Sequence, residues 1–355
     1  MKTSPKVLDF TGSKIYVGID VHLKQWTITI RTVDMDLRTF SMNPSPQALY
    51  NYLTKHYPHA KYFSVYEAGF SGFWAHRELL GFGIKNIVVN PAYVPTTHKE
   101  KTQKQDKRDS RKLAKELSAC MLTAIYTPKK GEESLRLLSR RLLQISKSTR
   151  RTKTRIKHFL HTQGVEIPRP SQMTHWSANF MRWLHSLELE DEYSPYYLDE
   201  LIDDLEAVRT RKLIYLRKIR ATMKGNQTIH YLRTIPGIGF ITAFTLYTEI
   251  IDIARFQKLD QLVAFIGIIP SVHASDDKEK ILGLTNRCNK YLRYLLIEAA
   301  WVAVRTDPAL TMAYQKLLKD KTPQKAIIRI AKKLVSRIRF VWKEQQEYKL
   351  AVVEK

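Results

Sequence analysis

Lys14-Ile-Tyr-Val-Gly18-Ile-Asp20-Val21 sets the architecture of the first third of this chain. The run is short, mostly apolar and β-branched, so it reads as a buried strand. It also carries one carboxylate, Asp20, whose charge would be costly to bury unpaired. Gln25–Val33 alternates with period two, as a half-buried strand does, and a third strand follows near Arg38–Met42. Ser45-Pro46-Gln47 opens a helix to about His56, with proline in a favoured first-turn position. Tyr62–Tyr66 is strand-like, Ser71 to Leu80 is helical and ends at Gly81, and Asn86–Asn90 is a buried strand closed by Pro91. A strongly basic helix comes last, Lys104-Gln-Asp106-Lys-Arg-Asp109-Ser-Arg-Lys-Leu-Ala114.

Three consecutive strands followed by alternating helix and strand is the order of a ribonuclease-H-like α/β fold. Such a fold places an acid in its first strand, here Asp20, and another near the end of its fourth, here Glu67. Asp106 and Asp109 are three apart, so on a helix they share a face with Cβ atoms roughly 5–6 Å apart. Lys99, Lys101, Lys104, Lys107 and Arg108 surround them. Carboxylates among so many cations read either as a solvated charged helix or as ligands of a divalent ion facing a polyphosphate. Four acids, Asp20, Glu67, Asp106 and Asp109, supply the hard oxygen donors that Mg²⁺ or Mn²⁺ needs for phosphodiester chemistry.

Composition favours the second reading. Among 355 residues, 59 Lys and Arg face 34 Asp and Glu, a formal net charge of +25 with a pI near 9.9. Such an excess calls for a polyanionic partner, and nucleic acid fits, with binding that weakens steeply in salt. No apolar run approaches the ~20 residues of a membrane span. Met1 to Leu8 lacks the apolar core of a signal peptide, so a cytoplasmic protein is expected. Cys120 and Cys288 make neither a disulfide framework nor a zinc cluster.

Beyond Glu132 the pattern changes. Leu135, Leu138, Leu142, Ile145, Thr149, Thr152, Ile156 and Phe159 recur at spacings of three and four, a coiled-coil seam. A second seam runs through Leu198, Leu201, Leu205, Val208, Lys212, Tyr215 and Ile219. The two helices could pack on each other or on a second subunit. From Tyr231 the chain becomes mainly helical, and Ile235-Pro-Gly237-Ile-Gly239 resembles a helix-hairpin-helix turn whose glycines let backbone N–H groups approach a phosphate. Pro270-Ser271-Val-His-Ala-Ser275 leads into a polar loop at Asp276–Lys280. An amphipathic helix follows with Arg287, Lys290 and Arg293 on one side, and Lys321–Arg339 forms a basic amphipathic helix. The expected domains are residues 1–128 (α/β), 129–228 (helical coiled coil), 229–320 (mainly α) and 321–355 (basic C-terminal helix).

These motifs together resemble the IS-one-ten family of insertion-sequence transposases, DEDD recombinases related to the Piv invertase. They are Gly18-Ile-Asp20-Val, Tyr66-Glu67-Ala-Gly69, Val89-Asn-Pro91, Asp106-Lys-Arg-Asp109-Ser-Arg-Lys-Leu-Ala, Ile235-Pro-Gly-Ile-Gly239 and Gly283-Leu-Thr-Asn-Arg-Cys-Asn-Lys-Tyr-Leu-Arg293. The resemblance implies a RuvC-like N-terminal domain joined through a coiled coil to a transposase domain with a serine nucleophile. It carries the four acids onto Asp20, Glu67, Asp106 and Asp109. The serine falls after Gly267-Ile-Ile-Pro270, where Ser271 and Ser275 both lie and the spacing favours Ser275. The family usually has glycine after its serine, and this chain has Asp276; Cys288 likewise stands where glycine is customary. The implied activity is DNA cleavage and rejoining through a phosphoserine intermediate, assisted by Mg²⁺. The implied partners are double-stranded donor and target DNA, a structured noncoding bridge RNA, and further copies of the chain as a dimer or tetramer, at a prokaryotic nucleoid. A metal-only RuvC-like junction nuclease and a non-catalytic nucleic-acid-binding protein are the rival readings.

Overall fold

The computed structural model describes residues 9–95, 106–275, 278–285 and 288–350, without the side chains of 106–107, 270–275 and 278–282. Lys99, Lys101, Lys104 and Arg287 lie outside the described residues. The chain divides into two units, Met1–Lys129 and Lys130–Lys355.

The first unit runs β1 (Lys14–Val21), β2 (Trp26–Arg31), β3 (Asp36–Met42), α1 (Pro46–His56), β4 (Lys61–Glu67), α2 (Trp74–Gly81), β5 (Lys85–Val89) and α3 (Asp106–Ser118). The sheet order is β3-β2-β1-β4-β5, with β1, β2 and β3 antiparallel and β4 and β5 parallel to β1. The central strand is therefore the one with Asp20, which explains why its neighbours in sequence are almost all apolar. Helix α1 starts where expected because the Ser45 hydroxyl accepts the Ala48 N–H at 3.2 Å and Pro46 occupies the first turn. One sheet face packs Ile15, Val17, Ile19, Ile28 and Ile30 against Leu49 and Leu53 of α1 and Leu79 of α2. On the other face Val65 and Val89 pack with Leu113 of α3.

The second unit contains α4 (Lys130–Thr162), α5 (Ala178–His185), α6 (Ser194–Thr222), α7 (Gln227–Arg233), α8 (Phe240–Ile250), α9 (Leu259–Ile266), β6 (Pro270–Ser275), β7 (Lys278–Leu284), α10 (Lys290–Thr306), α11 (Pro308–Leu318) and α12 (Pro323–Glu344). The two heptad-like helices, α4 and α6, pack on each other. At one end Ile156, Phe159, Leu198 and Leu205 enclose Phe180 and Met181 of the connector. At the other, Leu142 and Ile219 enter the large core built by α7 to α12. The stretch between is polar. Lys153 sits there with its ammonium 4.9 Å from the Trp176 ring, and its pKa is pushed down by burial and by the nearby Arg209, Lys212 and Lys157.

One expectation changes in this unit. The segment read as a polar loop at Asp276–Lys280 contributes to a hairpin, because β6 and β7 pair antiparallel with Ser275 opposite Lys278. Lys278-Glu-Lys is too charged to read as strand by propensity, but β6 must satisfy its backbone groups and β7 is the partner that does so. The basic helix expected at Lys321–Arg339 has a core face: Ile327, Ile330, Leu334, Ile338 and Val341 are buried with residues of α8 to α10.

The segment after α12 is pinned to this core. Asp307, fully buried, caps α11 by accepting the Leu310 N–H at 3.0 Å, and its other oxygen accepts the Tyr348 hydroxyl at 2.6 Å. Burial and then the bond to Asp307 raise the Tyr348 pKa to about 12. Because the folded value lies above the unfolded one, this stabilisation is complete below about pH 10 and is lost as pH rises toward 12. Urea titrations at a series of pH values are expected to show Tyr348→Phe less stable by about 1 kcal/mol at pH 8. That gap should close between pH 10 and 12.

Candidate active site

Asp20 and Glu67 meet through sheet register. Ile19 pairs with Tyr66 across the parallel β1–β4 ladder, so the next step sets Asp20 beside Glu67 at the C-terminal ends of strands about 4.8 Å apart. Side chains alternate along a strand, so Asp20 shares a face with Gly18, and Glu67 with Val65. Val65 packs with Leu113 of α3. Both acids therefore point to the α3 side of the sheet. The Asp20 carboxylate accepts from His22 Nε2 at 3.1 Å, and the Asp20 side chain is 21% exposed.

Helix α3 is seated on that face by one glycine. A Cβ at Gly18 would stand 2.0 Å from the Ser110 carbonyl oxygen and 2.5 Å from the Ala114 backbone nitrogen. The Ser110 hydroxyl, fully buried, bonds Thr29 Oγ1 at 2.9 Å, and Thr29 bonds Thr39 at 3.0 Å. Thr29 is the β2 partner of Gly18. Gly18, Thr29 and Ser110 thus fix α3 just after Asp109. Asp106 opens the helix, Asp109 is half-buried and Arg108 is exposed; the side chains of Asp106 and Lys107 are outside the described ones. Among the described residues no group of three His, Cys, Asp or Glu is placed to hold a metal ion. What the structure brings together is the Asp20–Glu67 pair, under the helix that carries Asp106 and Asp109. An all-carboxylate donor set on one sheet face is chemically suited to Mg²⁺ or Mn²⁺.

Ser275 ends β6, and its hairpin is braced at the root. Gly267 closes α9 in the left-handed region at φ +85°, and a Cβ there would meet Cys288 Cβ at 2.3 Å. The Arg293 guanidinium donates through Nη1 to the carbonyls of Thr285 at 2.7 Å and Gly267 at 3.3 Å. Thr285 in turn donates its N–H to the Ile269 carbonyl. Arg293 thus ties both feet of the hairpin to α10. Lys290 is exposed on the first turn of α10.

Glu249 is the residue that sequence reading passed over. It is 4% exposed, at the end of α8. Arg140 of α4 grips it at 2.9 and 3.2 Å, and Asn289, which caps α10 through the Leu292 N–H, donates to it at 3.0 Å. A lone carboxylate in Phe-Ile-Thr-Ala-Phe-Thr-Leu-Tyr-Thr-Glu249-Ile was the available signal, since such a charge must find a partner when buried. Gly237, at φ +83°, approaches α10 closely: a Cβ would stand 2.2 Å from the Ala299 carbonyl oxygen. Gly239 is the N-cap of α8, with open space around it.

Residues 229–315, which hold the Gly237 turn, the Ser275 hairpin and α10, match the transposase IS116/IS110/IS902 family. Over that segment the chain is similar to this family. It is 27% identical over 236 residues to y4qE of Sinorhizobium fredii, covering 66% of this chain and 57% of that protein. It is 26% identical over 233 residues to the transposase for insertion sequence element IS1111A of Coxiella burnetii, covering 65% and 62%. Against y4rJ of Sinorhizobium fredii it is 28% identical over 313 residues, covering 76% and 74%. The chain thus spans less than two thirds of the length of y4qE and of the IS1111A transposase. The matched segment starts within α7, so the Asp20–Glu67 pair lies outside it.

Proposed function

We propose that this chain is an insertion-sequence transposase that cuts and rejoins DNA strands with Ser275 as nucleophile and the acidic face of its N-terminal unit as the phosphate-activating centre. The observation that carries the reading is the register of β1 and β4, which sets Asp20 beside Glu67 on the face covered by α3. The sheet is taken as RuvC-like on its strand order. Asp20, Glu67, Asp106 and Asp109 would hold Mg²⁺ or Mn²⁺. Such an ion, when bound, neutralises charge developing on the scissile phosphate.

Ser275 Oγ attacks phosphorus and gives up its proton. The bond from phosphorus to the 3′ oxygen breaks, that oxygen leaves as a 3′-hydroxyl, and a phosphoserine link retains the phosphate. Attack of a hydroxyl on the link rejoins DNA and returns the serine. With the phosphodiester count unchanged, no external energy source is needed. Lys290 and Arg108, both exposed, offer backbone contacts, as do Lys99, Lys101, Lys104, Lys107 and Arg287 on charge. Gly239 leaves the first N–H groups of α8 open to a phosphate. Target choice is assigned to a structured noncoding RNA, and the working form to a dimer or tetramer.

Covalent trapping tests this. Chain, Mg²⁺, the element's noncoding RNA and labelled donor DNA are run on a denaturing gel beside Ser275→Ala and Asp109→Asn. A slow protein–DNA band, reduced at least a hundredfold in both variants, is the expected result. Cleaved DNA with no adduct, undiminished in Ser275→Ala, would replace this mechanism with metal-only hydrolysis.

A further inference from the structure

From Ser134 to Thr162, α4 has nine Lys or Arg and no Asp or Glu. Lys147, Arg150, Arg151, Thr154, Arg155 and His158 follow helical spacing and line one face of an open groove of about 600 Å³. All six are exposed. Among the described residues no carboxylate pairs with the four Lys and Arg of this face. Lys147 to His158 covers roughly 16 Å of helix at 1.5 Å per residue. The groove continues past Lys147 and Arg150 into a second hollow of about 410 Å³ bounded by Lys290 and Tyr294.

An exposed aromatic ring marks each end. Tyr197, 50% exposed, stands against Phe159 with ring centroids 5.1 Å apart. Tyr294, 47% exposed, has the Arg150 guanidinium 5.7 Å from its ring centre. A cationic track with aromatic platforms is the arrangement that takes an unpaired polynucleotide: cations follow the phosphates and rings stack on bases. A duplex offers its phosphates but keeps its bases stacked internally, which would leave both tyrosines without a role.

We propose that the α4 groove binds single-stranded DNA, a strand separated from its complement. The choice of DNA rests on the transposase reading above. No residue lining the groove belongs to the acidic face or to the Ser275 hairpin, and none of its aromatic residues figures in the cleavage chemistry.

Fluorescence anisotropy with labelled oligo-dT, oligo-rU and a duplex tests this. The full chain carries Ser275→Ala and is measured in EDTA without added metal, so neither serine attack nor metal-assisted hydrolysis enters the readout, and failure of the trapping experiment leaves this measurement intact. Arg150→Gln/Arg151→Gln/Arg155→Gln is expected to weaken oligo-dT binding at least tenfold. Its plot of log K against log salt should be shallower by about 2, the counterion release of three single-strand contacts. Tyr197→Ala is expected to weaken binding about tenfold and Tyr197→Phe to retain it. The exposed control Arg305→Gln/Lys316→Gln/Lys319→Gln, equal in charge removed, should keep oligo-dT affinity within twofold. Unchanged oligo-dT binding in the Arg triple variant overturns the proposal, as does an equal loss in the control. A loss as large on duplex makes the face a duplex surface, and a loss confined to oligo-rU makes it an RNA surface; either outcome overturns it too.

Discussion

Gly18→Ala is expected to abolish strand cleavage and to destabilise the N-terminal unit by about 3 kcal/mol. The added methyl group would lie 2.0 Å from the Ser110 carbonyl oxygen and 2.5 Å from the Ala114 nitrogen, both backbone atoms of α3. A flexible side chain could swing away; a helix backbone can move only as a body. Relief therefore means lifting α3 from β1, which breaks the buried Ser110–Thr29 bond and withdraws Leu113 from Val65 and Val89. The same displacement carries Asp106 and Asp109 away from the sheet that bears Asp20 and Glu67. Thermal unfolding and the adduct assay separate the two effects. Ala114→Gly removes only the Ala114 Cβ at 3.1 Å and relieves neither backbone clash, so it should leave Gly18→Ala unrescued. An active, fully stable Gly18→Ala protein would show that α3 does not need this close seat on β1.

The sheet was legible because each strand has its own signature. Period-two alternation located β2, although the strand is buried on both faces, Thr27 and Thr29 included, and not half-buried as that alternation implied. The Ser45-Pro46 start of α1 and the glycine and proline after α2 and β5 are likewise local signals, and local signals suffice for order. Asp20 and Glu67 were legible for the same reason: each is an acid at the end of an apolar strand. The role of Gly18 was not, since it depends on where α3 returns, ninety residues later, as measured by Ser110. Basic residues show the limit of charge counting. Arg293 reads as a phosphate contact by its place on α10, and the structure adds a second role, since its Nη1 donates to the carbonyls of Gly267 and Thr285. Conversely, the exposed cations of α4 sit inside a seam pattern, where periodicity drew attention to Leu and Thr positions and away from the opposite face. The β6–β7 hairpin escaped because β7 is charged, and strand identity there is conferred by its partner.

Glu249→Ala is expected to cost the C-terminal unit about 3 kcal/mol, a drop of roughly 6–12 °C in its thermal midpoint for a unit of this size. The carboxylate is 4% exposed and joins three elements: Arg140 from α4, its own helix α8, and Asn289 at the start of α10. Removing it takes the 3.8 Å carboxylate contact from the Arg136 guanidinium, whose side chain is 14% exposed and which also donates to the carbonyls of Thr248 and Glu249 at 3.4 Å. It also frees the Asn289 amide that would otherwise be fixed while its oxygen caps α10. Arg140→Ala should cost far less, about 1 kcal/mol, because its side chain is 54% exposed and water takes the place of its partner. The asymmetry between the two truncations is the signature of a buried charge held by a surface one. The double variant should then resemble Glu249→Ala alone, since Arg140 has no carboxylate left to lose. Asn289 stands at the foot of the Ser275 hairpin, with its N–H on the Phe265 carbonyl. Glu249→Gln, which keeps the acceptor oxygen for Asn289 but not the charge for two arginines, should recover about half of the lost stability and most of the adduct yield. If Glu249→Gln matches Glu249→Ala in both, the arginine pairing alone sets this junction and the bond to Asn289 contributes nothing to holding the hairpin.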